Sequence, residues 1–189
     1  EARAPMTARQ LSEALEASLE ETQAGEKLSW IGFDACLMAT LETAMVCNNY
    51  ADYMIASEET EPGVGWYYTN WLTQLSKNTS TPTIQIGKQI ADDFVTVCDR
   101  QCRGQATALS VVDLAELQAT IPEELKQFSI GTNELIQNNE YKKVSTARSV
   151  TREFAQSSRI DQIDLIHFCK NLGTTGASSL ANSLQSCIK

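Results

Sequence analysis

The sequence has 189 residues, of which 42% are hydrophobic and 21% are charged, an ordinary balance for a globular protein. Its 15 basic and 24 acidic side chains give a formal net charge of −9 at pH 7. This charge argues against nucleic acid or an anionic membrane surface as a partner, because both select basic patches. No apolar run reaches the roughly 18 residues that a membrane-spanning helix needs, and the first residues lack the apolar core of a signal peptide.

The first predicted elements are a helix and a strand. Thr7 and Gln10 have the spacing of a capping box, and leucines recur along one side of the helix that follows. Gly25 is expected to end this helix. The apolar run at 28–33 then predicts a buried strand of the kind found in parallel sheets.

An acid and a thiol follow this strand directly. Asp34 and Cys36 precede a stretch, 37–47, whose apolar spacing predicts a helix. In open α/β sheets, ligands bind outside the carboxyl ends of the strands, and the N-terminus of a helix favours a thiolate over a thiol. The sequence therefore makes Cys36 a candidate nucleophile.

A second predicted strand, 53–56, leads into an acidic loop. The loop, 57–66, is interrupted by a proline and two glycines and carries Glu58, Glu61 and Trp66. In a doubly wound sheet, it would share one edge of the sheet with Cys36. A plain acidic surface loop explains the same residues without any function, so the residues alone leave both interpretations open.

The rest of the chain is predicted to be mostly helical. Two helices, 66–75 and 83–100, precede a third strand at 106–113, and five helices follow at 114–121, 122–138, 141–156, 162–172 and 177–187. Glycines 131, 173 and 176 are expected to mark breaks. We expect two regions: an α/β region, 1–113, that contains the nucleophile, and a helical region, 114–189, packed on it. Because three strands make a thin sheet, either the sheet is small or further strands come from another chain or from upstream sequence.

The other cysteines and the single histidine do not complete a site by themselves. Cys98 and Cys102 lie four residues apart on a predicted helix, a poor match to zinc-binding pairs. We expect the cysteines other than Cys36 to be small buried side chains. A cysteine nucleophile needs a base, usually histidine. His167 lies among apolar residues of a predicted helix, a setting that favours a structural role.

Two blocks of the sequence resemble the nucleophile region of the clostripain-like cysteine peptidases. The blocks are 33–39, with the sequence FDACLMA, and 56–66, with the sequence ASEETEPGVGW. They match that family in residue type, order and spacing, and the helical remainder of the chain is compatible with it.

The resemblance implies a caspase-like α/β fold, a three-layer sandwich with a mostly parallel sheet, and cleavage after Arg or Lys by a Cys–His dyad. Cys36 takes the position of the family's nucleophile, and Asp34 takes that of its specificity acid. A carboxylate at the floor of a pocket can bind a guanidinium through two hydrogen bonds, or an ammonium as a point charge. The loop with Glu58, Glu61 and Trp66 would wall this S1 pocket.

The main departure from the family concerns the histidine. In the family, a His-Gly motif precedes the cysteine, and this sequence contains no such motif. Family members are made as precursors and cut internally between the histidine and the cysteine. We therefore expect this chain to be a heavy chain that begins just after such a cut. A light chain would bring the histidine and further strands, which leaves His167 with a structural role.

In the implied mechanism, the histidine assists thiolate formation and later protonates the leaving amine. The Cys36 backbone N–H and one from the light chain's glycine would hold the oxyanion. The resemblance implies a bacterial protein that is secreted or held in the cell envelope. Some relatives need calcium, but the sequence has no recognisable oxygen cage for that ion, so no metal or other cofactor is expected.

Three alternatives remain beside the endopeptidase. One is a hydrolase of the same fold with another P1 preference, because the pocket acids are only partly assigned. Another is a catalytically incomplete, thiol-bearing subunit that binds basic peptides or serves as a scaffold. A redox or metal protein has the least support, since the cysteine spacing suits neither.

Overall fold

In the computed structural model, residues 6–22, 26–156 and 160–189 are described, and the chain divides into two compact units between Ala115 and Glu116. The described helices are α1 (Ala8–Thr22), α2 (Leu41–Cys47), α3 (Tyr68–Lys77), α4 (Thr83–Gln101), α5 (Leu114–Gln137), α6 (Tyr141–Ser149), α7 (Leu165–Leu172) and α8 (Thr175–Cys187). The strands are β1 (Leu28–Gly32), β2 (Ala51–Ala56), β3 (Ser110–Asp113), β4 (Glu153–Phe154) and β5 (Gln162–Ile163).

The predicted capping box at the start of α1 is confirmed. Thr7 N–H donates to Gln10 Oε1 at 2.9 Å, and Gln10 N–H donates to Thr7 Oγ1 at 3.2 Å. Two N–H groups that would otherwise lack partners are thereby satisfied. The predicted stop at Gly25 lies outside the described residues.

The first unit contains a three-stranded mixed sheet in the order β1-β2-β3. β1 and β2 are parallel, with Gly32 opposite Ile55, whereas β3 runs antiparallel to β2, with Val111 opposite Ile55. The expected mostly parallel sheet is therefore half antiparallel in this chain. Two helices, α3 and α4, join β2 to β3 in place of the single helix of a parallel βαβ crossover, and β3 enters the sheet in the opposite direction.

Burial in this sheet is concentrated in the central strand. Met54, Ile55 and Ala56 of β2 are at most 1% exposed, whereas the residues of β1 are exposed or half-buried. The prediction of a buried first strand is wrong. Within the described residues, β1 pairs on one side only, so its other edge and much of its surface remain uncovered.

The core of the first unit lies between the sheet and α4. Ile86, Ile90, Phe94 and Cys98 recur every four residues on α4 and are at most 2% exposed, as expected for one face of a helix. They cluster with Ile55 of β2 and Val111 of β3. Gly87 permits the close approach, since a Cβ at this position would lie 2.9 Å from Val111 Cγ2.

In the second unit, α5 continues through the predicted break at Pro122 and through Gly131. A proline inside a helix removes one hydrogen bond and costs about 3 kcal/mol, and a glycine costs about 1 kcal/mol relative to alanine. Leu117 and Ile121 are buried beside the proline, and their burial offsets this cost. The predicted pair of helices, 114–121 and 122–138, is therefore one helix.

The predicted helices 141–156 and 162–172 are both shorter than expected, because a two-stranded antiparallel sheet, β4-β5, lies between them. Arg148 at the end of α6 forms an ion pair with Glu153 at 2.7 Å and another with Asp161. Asp164 then caps α7 by accepting the N–H of His167 at 2.9 Å. The prediction that strands end at Asp113 is wrong.

The last two helices pack against each other. Gly173 ends α7 in the left-handed conformation, with φ of 67°, as predicted for a helix stop. Gly176 lies inside α8 instead of breaking it, and a Cβ there would come within 3.2 Å of the Gln127 backbone in α5. No helix in the described part of the chain has the length and apolar character needed to cross a membrane.

The contacts at Gly87 predict an effect on stability. Gly87→Ala should lower the free energy of unfolding by about 1 kcal/mol or more, because the stiff Val111 side chain cannot move away and overpacking exceeds the gain in helix propensity. Gly131→Ala is the matched control, because open space surrounds that helical glycine. It should raise stability by about 1 kcal/mol. Urea unfolding of both variants checks the pair, and equal effects of the same sign would contradict the packing argument.

Candidate active site

Asp34 and Cys36 lie on a turn between β1 and α2, and not in the first turn of the helix. α2 begins at Leu41 because Thr40 is its N-cap, with Thr40 Oγ1 accepting the N–H of Thr43 at 3.0 Å. The predicted helix start at 37 is wrong, and so is the argument that a helix N-terminus acts directly on Cys36. Leu37, immediately after the cysteine, has a φ of 63°, a conformation that costs a non-glycine residue roughly 1–2 kcal/mol.

Backbone hydrogen bonds join this turn to the loop after β2 and hold Leu37 in place. Leu37 N–H donates to Glu59 O at 3.1 Å, and Ala39 N–H donates to Ser57 O at 2.9 Å. Ser57 is fully buried, and its hydroxyl contacts both the N–H and the carbonyl of Glu59. The parallel pairing of β1 and β2 therefore continues beyond the strand ends and fixes the two loops side by side, as the sequence predicted.

Cys36 is the exposed member of the six cysteines, all of which are free thiols. Its Sγ accepts a hydrogen bond from the Glu61 backbone N–H at 3.2 Å, and the Glu61 carbonyl lies 3.8 Å away. The thiol is the donor in the contact with the carbonyl oxygen, so the Glu61 backbone contacts the sulfur through both of its polar groups. Among the described residues, the Cys36 backbone N–H has no protein acceptor.

Four of the other cysteines are buried, as predicted for small apolar side chains, whereas Cys102 is half-buried. Burial raises the pKa of Cys47, Cys98 and Cys169 to about 11 in each case. These thiols stay protonated and shielded at neutral pH, which lowers their reactivity.

Asp34 is held by the loop that follows β2. Its Oδ2 accepts the hydroxyl of Tyr68 at 2.9 Å and the backbone N–H of Trp66 at 3.2 Å. Gly65 has a φ of 67°, and a Cβ there would lie 3.0 Å from the same oxygen. Only glycine suits this position, because both the backbone conformation and the close carboxylate disfavour a side chain.

The Glu61 side chain lies next to Asp34. Both of its carboxyl oxygens are buried and receive no hydrogen bond from the described residues. Burial first, and then the neighbouring Asp34 carboxyl, raises the pKa of Glu61 to about 7. The Trp66 indole offsets part of this rise, although its N–H does not reach hydrogen-bond geometry.

Aromatic rings form one wall beside the two carboxyl groups. Trp66 is 6% exposed and stacks on Tyr68 with ring centroids 6.5 Å apart. Tyr68 in turn contacts Trp71 at 5.7 Å. Gly32 makes room for the Trp66 ring, since a Cβ there would lie 2.9 Å from it.

The structure thus brings Asp34, Glu61 and Trp66 together beside Cys36. Glu58 instead accepts a hydrogen bond from Ser110 at the start of β3, and its part in substrate binding stays a prediction. Tyr68 is the contact that sequence reasoning missed. It is the first residue of α3, and neither periodicity nor charge distinguishes it from the neighbouring Tyr67.

His167 has a structural contact in the second unit. Its Nδ1 accepts the backbone N–H of Arg152 at 3.1 Å, which ties the start of α7 to the β4 side of the small sheet. Where the chain is described, no group of three His, Cys, Asp or Glu residues could hold a metal ion.

Comparison with known proteins identifies the family. The family model described as Clostripain family matches residues 2–184 of the 189. The chain belongs to the clostripain family. Family membership makes it a cysteine protease chain, a hydrolase. No curated protein matches the sequence.

Solved structures of clostripain-family proteases share the fold. A clostripain from Bacteroides thetaiotaomicron is 16% identical with a TM-score of 0.59, and the match covers 100% of this chain and 75% of that one. A secreted C11 cysteine protease from the same organism, called iotapain, is 17% identical with a TM-score of 0.67, covering 100% and 51%. An inactive zymogen of a C11 protease from Parabacteroides distasonis is 18% identical with a TM-score of 0.52, covering 90% and 46%. The chain thus spans about half of the length of the last two proteins.

The raised pKa of Glu61 predicts a pH-dependent effect on stability. A carboxyl whose folded pKa lies above its unfolded value stabilises the fold below about pH 4.5 and loses that contribution as the pH rises through about 7. The free energy of unfolding of Glu61→Gln should therefore rise relative to that of wild type when the pH is raised from 5 to 8. The expected rise is on the order of 1 kcal/mol after allowance for solvent screening.

Urea unfolding of both proteins at the two pH values measures this difference. Asp52→Asn is the control, since Asp52 is an exposed acid on β2. If the free energies of unfolding of Glu61→Gln and wild type differ by the same amount at pH 5 and pH 8, the pKa of Glu61 is not raised by burial.

Proposed function

We propose that this chain is the nucleophile-bearing part of a cysteine endopeptidase that cleaves peptide bonds after Arg or Lys. The observation that carries the proposal is the position of the exposed Cys36 thiol, whose sulfur contacts the backbone of Glu61 while the Glu61 side chain lies against Asp34. Two acids and an aromatic wall beside a nucleophile suit a cationic side chain at P1.

The proposed S1 pocket has Asp34 as its main recognition group. Asp34 is exposed, and only its Oδ2 is used by the bonds from Tyr68 and Trp66, so Oδ1 is left to bind a cation. A relative supports a basic P1 residue: the clostripain from B. thetaiotaomicron was solved with the peptide inhibitor BTN-VLTK-AOMK, whose peptide ends in lysine.

The proposed reaction is acyl transfer through a Cys–His dyad. The histidine comes from a light chain of the same precursor, because His167 is the single histidine of this chain and already accepts a backbone N–H. It assists thiolate formation at Cys36 and protonates the leaving amine. The Cys36 N–H, which has no acceptor among the described residues, provides one arm of the oxyanion hole, and the light chain's glycine provides the other.

Two further features support pairing with a light chain. The free edge of β1 can accept a strand from a partner, since its outward backbone groups are unpaired within the described residues. The relative from P. distasonis is an inactive zymogen, which supports activation by internal processing. A caspase-like sandwich would then be completed by the two chains together.

The remaining proposals rest on the family and on the reaction type. A secreted or cell-envelope location in a bacterium agrees with the secreted relative from B. thetaiotaomicron. Acyl transfer by a thiolate needs no metal or organic cofactor, and none is proposed here. Some relatives need calcium, but no calcium-binding residues are assigned in this chain.

Selective labelling tests the nucleophile. In the assembled enzyme, a peptidyl-arginine or peptidyl-lysine chloromethylketone should modify Cys36 at least 100-fold faster than Cys98 or Cys187, because those two thiols are buried. Mass spectrometry of tryptic peptides locates the adduct, and Cys36→Ala should abolish it. Equal labelling rates at these cysteines would favour the non-enzymatic, thiol-bearing subunit.

Substitution of the specificity acid tests the P1 preference. Asp34→Asn should lower kcat/KM for Arg and Lys substrates by about 100-fold, because the P1 cation loses its charged partner. The amide oxygen can still accept the Tyr68 hydroxyl, so the fold should be preserved. Cleavage of a substrate with citrulline at P1, the neutral isostere of arginine, should change little. An unchanged kcat/KM for the arginine substrate would remove Asp34 from this role.

A further inference from the structure

The Glu61 carboxyl is buried without a hydrogen-bond donor among the described residues. Burying an unpaired carboxylate is costly. The residue is also central to the site, because its backbone N–H binds the Cys36 sulfur at 3.2 Å. A second group close to it is likewise unsatisfied: the indole N–H of Trp66, in a side chain that is 6% exposed.

The neighbour of the Glu61 carboxyl is the Asp34 carboxyl. Two carboxyl groups can form a hydrogen bond with each other only if one of them keeps its proton. Asp34 already accepts bonds from Trp66 and Tyr68, whereas Glu61 accepts none. The shared proton therefore belongs on Glu61, in agreement with its pKa of about 7.

Among the described residues, three titratable groups face Glu61 besides the Cys36 thiol: Asp34 on the turn after β1, Tyr68 on α3 and Cys98 on α4. Burial and the two acids raise the pKa of Tyr68, and burial raises that of Cys98 to about 11. Both groups are neutral near pH 7. The charge of the pocket is thus set by the Asp34–Glu61 pair.

We propose that Asp34 and Glu61 share one proton in the ligand-free pocket and that a basic P1 side chain displaces it into solvent. The proposal rests on the proposed function, because it assumes that the P1 cation enters beside Asp34. No covalent bond changes. The protonated Glu61 becomes a carboxylate, the released proton goes to the buffer, and the cation balances the second negative charge.

A guanidinium should replace the proton between Asp34 and Glu61 better than an ammonium does. The ionised pair offers three oxygens without a protein donor, Oδ1 of Asp34 and both oxygens of Glu61. A guanidinium has five N–H donors in one plane and can bridge two carboxylates, whereas an ammonium is a compact point charge. Arginine at P1 should therefore bind more tightly than lysine, and its affinity should fall by up to about tenfold per pH unit below pH 7, since binding then requires removal of the proton.

Isothermal titration of the assembled enzyme carrying Cys36→Ala tests the proposal, because this variant binds substrate without cleaving it and removes the thiol from the titration. The probe is a substrate-length peptide with arginine at P1, titrated at pH 6, pH 7 and pH 8, each time in two buffers of different ionisation enthalpy. A fraction of a proton should be released per peptide bound, and more at pH 6 than at pH 8, because the raised pKa keeps the free Glu61 carboxyl partly protonated in this range. The double variant Cys36→Ala/Glu61→Gln should release none, and Cys36→Ala/Asp52→Asn should match the parent.

The outcomes separate this proposal from the function on which it rests. Proton release that needs both Glu61 and an arginine side chain supports the shared proton. Tighter binding of arginine than citrulline without any release, or with the same release in the Glu61→Gln variant, overturns the shared proton and leaves the P1 preference intact. Equal binding of arginine and citrulline peptides overturns both.

Discussion

The parallel pairing of β1 with β2 is the interaction on which the site depends. Its hydrogen bonds continue past the strands, from Phe33 N–H to Ile55 O at 2.9 Å and then from the Cys36 turn to the acidic loop. Backbone hydrogen bonds thereby fix the two loops, which are about 20 residues apart in sequence, against each other. The side chains of Asp34 and Glu61, and the sulfur of Cys36, owe their positions to this pairing more than to any contact of their own.

The same pairing explains why much of the site could be predicted. Strand 28–33 and strand 53–56 have strong apolar signals, and the carboxyl ends of neighbouring parallel strands must meet. Asp34, Glu61 and Trp66 follow from that rule together with the two sequence blocks. Tyr68 does not, because its bond to Asp34 depends on the path of the loop around Gly65, which leaves no periodic pattern.

The errors in the predicted fold arise where tertiary contacts outweigh the local preference of the sequence. Leu37 is at helical spacing from Leu41 and Ala44. It nevertheless lies in a turn, because backbone hydrogen bonds to Ser57 and Glu59 outweigh weak local propensity. In the second unit, Arg148 and its two acidic partners support strand β4. This strand has two residues, which is too short to produce a recognisable hydrophobic periodicity. At Pro122 the reverse holds, since burial of Leu117 and Ile121 carries α5 through a residue that usually ends helices.

The uncovered edge of β1 also bears on how the protein can be handled. Its outward backbone groups are unpaired within the described residues, and Leu28 at its start is 40% exposed. Such an edge is a template for any other extended chain, including a second copy of itself. Production of this chain in isolation therefore invites edge-to-edge aggregation, and co-production with a strand that covers β1 is the rational route to a well-behaved sample.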